Sequence, residues 1–154
     1  VFIFEIDERL GLMVGRHHAG GDPGTVNEIL RATRALGRSG VPQLPKVELL
    51  YADADAVHPS DHERTQIAEA WRDIEGGLIF AMVTSSAVAR ATLGVVSLLR
   101  GRQAQSARSA FATREEAVAW IETLRHGVRH DLLRLDLRRE HRSREYAGLE
   151  RNAS

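Results

Sequence analysis

The 154-residue chain reads as one α/β domain on a mixed, mostly parallel five-stranded sheet, with an antiparallel hairpin at its start and an amphipathic helix added at its C-terminal end. Three observations predict this class. Leu78-Ile79-Phe80-Ala81-Met82-Val83 is an unbroken apolar run of strand length, as a strand buried on both faces requires. The pairs Thr25 and Glu28, Ser60 and Glu63, and Thr113 and Glu116 have capping-box spacing, and each opens an apolar stripe of helical period. Strand-length runs also alternate with these helices, which implies parallel pairing through right-handed crossovers.

Taken in order, Phe2, Phe4 and Ile6 alternate with Ile3, Glu5 and Asp7, and the run Leu10 to Val14 follows a polar turn. That pattern gives two strands in a hairpin. Gly20 to Gly24 breaks the second strand, and Val26, Ile29, Leu30, Thr33 and Leu36 make the first helical stripe, with Gly37 placed to stop it. Past the connector Val41-Pro42-Gln43-Leu44-Pro45, Val47 to Tyr51 is the third strand. Ile67, Trp71 and Ile74 mark the second helix, ending near Gly76-Gly77.

After the buried strand at Leu78 to Val83, Thr84-Ser85-Ser86 offers N-caps for a third helix with Val88, Thr92, Val95 and Leu99 on one face. Arg100 to Ser106 is a solvated loop, and Ala107 to Ala112 is a short edge strand. Ala117, Trp120, Ile121 and Leu124 then form a compact helical stripe, and both Trp71 and Trp120 are expected in the core. Val128, Leu132 and Leu135 recur at helical spacing amid dense Arg and Glu. The division expected is a domain over 1–126, an amphipathic helix over 127–146 and a disordered tail over 147–154.

Composition narrows the function classes. Lys and Arg number 21 and balance 21 Asp and Glu, so the whole molecule has no strong pull toward nucleic acid or anionic membrane. The loop at Arg100 to Arg108 also lacks the aromatic interleaving of a single-strand binder. From Arg125 to Ser154, eight Arg face five acids, a net of +3, which leaves residues 1–124 at −3. Cysteine is absent, excluding disulfides, thiolate metal sites and a cysteine nucleophile. No apolar run is long enough to span a bilayer, and acids occupy the first residues where a signal peptide would be basic, so a cytoplasmic protein is expected. The chain begins at Val1 and not Met, which suggests a trimmed N-terminus.

The segment Leu78 to Ser86 followed by Ala87-Val88-Ala89-Arg90, and the run Phe111-Ala112-Thr113-Arg114-Glu115-Glu116-Ala117-Val118-Ala119-Trp120-Ile121, carry a family likeness. Through them the chain resembles the SpoIIAA-like branch of the STAS superfamily, the fold of bacterial anti-anti-sigma factors. The likeness spans roughly residues 1–124 and leaves the C-terminal helix outside. It implies a small sheet with helices over one face, and a non-enzymatic bacterial signalling module that docks to a partner protein. It also implies a phosphorylated serine at the start of the helix after the third strand, a place that Ser60 occupies here. In that family an aspartate closely precedes the serine, whereas this segment reads Asp53-Ala54-Asp55-Ala56-Val57-His58-Pro59-Ser60-Asp61.

Residue chemistry leaves other readings open. Ser60 is explained by helix capping alone, although a phosphate there would suit the helix dipole while standing beside Asp61 and Glu63. His17, His18, Asp53, Asp55 and His58 fall at the carboxyl ends of parallel strands, where ligands gather, and are suitable metal ligands or acid–base groups. They have no His-Glu-x-x-His spacing, so no metal, cofactor or catalytic residue is assigned. Ser85 and Ser86 lack a nucleophile elbow and read as caps whose free N–H groups suit an anion. The last alternative is a homodimer formed through the C-terminal helix.

Overall fold

The computed structural model describes residues 2–17, 25–53, 60–91 and 106–153. Strands β1 (Phe2–Asp7), β2 (Leu12–His17), β3 (Lys46–Ala52), β4 (Leu78–Val83) and β5 (Ala107–Phe111) lie in the sheet in chain order. β1 and β2 are antiparallel and the other neighbours are parallel, as the hairpin and the helix-separated strands predict. Helices α1 (Thr25–Gly37), α2 (Asp61–Arg72), α3 (Arg114–Leu124) and α4 (Arg129–Ala153) accompany them, with a helical start at 87–91.

The hairpin is closed by its own polar ends. Asp7 accepts from Leu10 N at its side chain (3.0 Å) and from Gly11 N at its carbonyl (2.9 Å). Gly11 has φ +68°, and a Cβ there would stand 2.9 Å from Lys46 Cδ, so both conformation and space call for glycine. Gly76 is tighter still: at φ +82° its missing Cβ would meet Pro42 O at 2.5 Å.

Two apolar layers sandwich the sheet. α1 and α2 bring Ala32, Leu36 and Trp71 onto Phe2, Met13, Leu50, Leu78 and Phe80. On the opposite face, Ala117, Val118 and Ile121 of α3 and Leu132 and Leu135 of α4 cover Leu12, Val14, Val47, Leu49, Ile79 and Ala81. The expectation of helices over one face is therefore corrected. Crossovers from β2 to β3 and from β3 to β4 step the same way across the sheet, so right-handedness puts α1 and α2 on one side. Beyond β5 no strand remains to be reached, and the apolar stripes of α3 and α4 cover the face left bare.

The C-terminal helix is thus part of the core and not an appendage to a 1–126 unit. Glu122 of α3 caps it, accepting from Gly127 N (2.6 Å), Val128 N (3.1 Å) and Arg129 N (3.0 Å). Arg125, between the two helices, donates to Pro45 O (2.9 Å) and Leu10 O (2.6 Å), fixing the corner to the amino edge of the sheet. α4 also runs helical through Ala153, where a disordered tail was expected. Its uninterrupted 143–153 segment contains neither Pro nor a stop signal other than Gly148, which the helix tolerates.

Smaller departures have local causes. Thr25 lies within the first turn of α1 and is buried, and so does not stand outside it as a cap. Val88 is 76 % exposed instead of facing the core, while Thr92, Val95, Leu99 and the loop residues 100–105 lie outside the described residues. Trp71 and Trp120 are half-buried against the two core layers, on Phe80 (4.9 Å between centroids) and Phe111 (5.4 Å).

Candidate functional site

At the carboxyl edge, β2 and β3 end side by side, and Asp53 N donates to His17 O at 3.2 Å. His17 and Asp53 are thereby brought together as neighbouring strand ends. Asp53 also faces Arg16, whose Nη2 stands 3.6 Å from Asp53 Oδ1. His18, Asp55 and His58 lie outside the described residues. Among the described residues, no group of three or more His, Cys, Asp or Glu is placed to hold a metal ion.

Ser60 caps α2 with the full reciprocal box. Its hydroxyl accepts from Glu63 N (3.2 Å), and its own N–H donates to Glu63 Oε1 (3.3 Å). The residue is exposed, as is Asp61 beside it, so the start of α2 stands open to solvent. Ser86 is likewise engaged as a cap, accepting from Ala89 N at 3.1 Å, while its N–H donates to Thr84 Oγ1 at 3.2 Å. Ser85 is exposed next to it, and Arg90 Nη1 is committed to Thr84 O at 2.7 Å.

A more organised polar cluster escaped the sequence reading. Asp136 of α4 is buried, and its Oδ2 accepts from Tyr51 Oη (2.7 Å) and Arg114 Nη1 (3.0 Å). Its Oδ1 accepts from Arg139 Nε (3.2 Å) and Nη2 (3.1 Å), and the Arg139 guanidinium lies 4.9 Å from the Tyr51 ring centroid. Burial, and then the hydrogen bond to the Asp136 carboxylate, push the Tyr51 phenol well above its ordinary pKa, so it stays a neutral donor. The signal was present: Arg139 continues the spacing of Val128, Leu132 and Leu135, and a charge at a core position of a helical stripe implies a buried partner.

Glu48 is the second buried group. It alternates with Val47 and Leu49, so it points into the α1/α2 layer, between Met13 of β2 and Phe80 of β4 in register. Burial raises its carboxyl to about 8, and Oε2 has no hydrogen-bond partner. Thr33 Oγ1 and Trp71 Nε1 are also buried and unpartnered in the helices over that face.

At the α3–α4 corner an open groove is lined by Glu122, Gly127, Arg129, His130 and Leu133, but its carboxylate is occupied with capping. Along α4, Leu137 and Leu149 are exposed. Twelve positions apart, they stand about 120° from one another around the helix and do not form a single dimerisation stripe. No described helix is long and apolar enough to cross a membrane.

Comparison with family models, curated proteins and solved structures found no match for the chain. Among the described residues the fold is that of an α/β domain, with a mixed five-stranded sheet carrying α1 and α2 on one face and α3 and α4 on the other.

Proposed function

We propose that this protein is a non-enzymatic, cytoplasmic bacterial signalling module of the STAS, SpoIIAA-like type, which acts by docking α2 onto a partner protein. The observation that carries this reading is the state of α2. The helix has no fully buried residue, its box-capped first turn is exposed, and it follows the third strand at the carboxyl edge. The strand order from an antiparallel hairpin into sequential parallel strands is compatible with the resemblance and supports it. Ser60 would be the regulated residue: a phosphate there adds about two negative charges at a helix N-terminus beside Asp61 and Glu63, and so changes what the surface attracts.

The test is affinity capture from host lysate with the native chain and with a Gln66→Arg/Glu69→Arg variant, two exposed positions one turn apart on α2. A single partner recovered in stoichiometric amount by the native chain and lost with the variant, at unchanged thermal stability, is the expected result. Equal recovery by both, or recovery by neither, would remove α2 as the docking surface. Mass mapping of the chain isolated from host cells should find a phosphorylated fraction at Ser60.

A further inference from the structure

Three arginines from three different elements gather around Tyr51 at the carboxyl edge of the sheet, and two of them carry buried N–H groups that nothing accepts. Arg16 is the register neighbour of Tyr51 in β2, on the α3/α4 face by alternation with Val14. Arg139 lies over the Tyr51 ring, and Arg114, from the first turn of α3, shares the Asp136 oxygen that Tyr51 Oη reaches. Arg16 Nε and Arg139 Nη1 are buried without a hydrogen-bond partner.

The carboxylates nearby do not fill this gap. Asp136 is committed to Tyr51, Arg114 and Arg139. Asp53 stands 3.6 Å from Arg16, and Glu140 stands 3.9 Å from Arg114 and 4.0 Å from Arg139, all beyond hydrogen-bond reach. Glu115, at 3.7 Å from Arg114, lies on the solvent side. Interior donors without acceptors are rare in folded proteins and call for an acceptor that completes them. Guanidinium forks match the paired oxygens of a phosphate, and the carboxyl ends of parallel strands are where such ligands bind. The Arg16 and Arg114 side chains are 39 % and 38 % exposed and so reach solvent, while Arg139 at 2 % is buried beside them.

We infer that Arg16, Arg114 and Arg139 around Tyr51 form an anion site for a phosphate group, free or carried by a small-molecule monoester. The site lies on the α3/α4 face and is independent of any docking through α2.

Thermal unfolding of the full chain, titrated with inorganic phosphate and separately with phenyl phosphate against sodium chloride of equal ionic strength, tests it. The expected result is a saturable rise in Tm with phosphate that chloride does not reproduce. A larger rise with phenyl phosphate identifies a monoester as the better ligand; an equal or smaller one identifies free phosphate. Arg16→Gln and Arg114→Gln are read by their phosphate-dependent increment alone, so that their own stability does not enter. Loss of the increment in either variant supports the site. No saturable rise in the native chain, or a rise kept in full by both variants, would overturn it, the latter because general exclusion of phosphate from protein surfaces also raises Tm.

Discussion

Glu48 and Asp136 are both buried carboxyl groups, and their surroundings give them opposite consequences. Glu48 has burial and no counter-charge, so its pKa rises from 4.5 to about 8 in the folded protein. The folded state then keeps a proton that the unfolded chain releases, and stability falls as pH rises from the unfolded value to the folded one, with no further change beyond. At pH 7 the penalty is on the order of 3 kcal/mol, an upper figure because partial opening to water relieves it. Urea unfolding at pH 5 and pH 8 should therefore show a steep loss in the native protein and a much flatter response in Glu48→Gln. Parallel pH dependence in the two proteins would place a hydrogen-bond donor or a water beside Glu48 that keeps it ionised. Asp136, by contrast, compensates the buried Arg139 guanidinium. Asp136→Ala strands that charge and should cost about 3–5 kcal/mol, while Tyr51→Phe removes one hydrogen bond and should cost about 1 kcal/mol. Similar losses for the two would mean that Asp136 acts as a simple hydrogen-bond acceptor and not as the counter-charge.

At the scale of elements, the helix starts separate into those set locally and those set by burial. The Ser60 and Thr113 caps form where the spacing predicts them, because an N-cap needs only its own side chain and the N–H three residues on. Ser60→Ala should destabilise the chain by about 1 kcal/mol. Hydrogen exchange should show the loss confined to the first turn of α2, since that helix is anchored by half-buried Ile67 and Trp71 further along. Faster exchange throughout α2 would mean instead that the cap holds the whole helix. Thr25 has the same spacing to Glu28 yet is drawn inside α1 and buried, so tertiary packing displaced the local preference there.

Across the whole molecule, the two faces of the sheet depend on helices from opposite ends of the chain. Val128, Leu132 and Leu135 each contribute roughly 1.5–3 kcal/mol by burial, a large part of the total stability of a domain this size. A chain ending at residue 126 should consequently lose its cooperative melt and bind a hydrophobic dye. One ending at residue 143 keeps Asp136, Arg139 and the Arg142 ion pair with Glu5, and should melt as a folded domain. A sharp native-like melt of the 126-residue chain would show that α4 is dispensable to the core.

The sequence by itself determined the order of the strands, the helix caps at Ser60 and Thr113, the hairpin and the parallel pairing, because each depends on periodicity or on hydrogen bonds between residues a few positions apart. Even the Leu78 to Val83 strand was legible from one hexapeptide, since burial on both faces forbids polar side chains. Among the candidate residues it placed Ser60 and Ser86 correctly as caps and put His17 beside Asp53 at one edge. Only the tertiary structure decided which face each helix covers, that α4 belongs to the core, and that Tyr51 meets a carboxylate 85 positions away. Periodicity states that a helix has an apolar side but not which surface will receive it, and a buried charge finds its partner only when distant segments close around it.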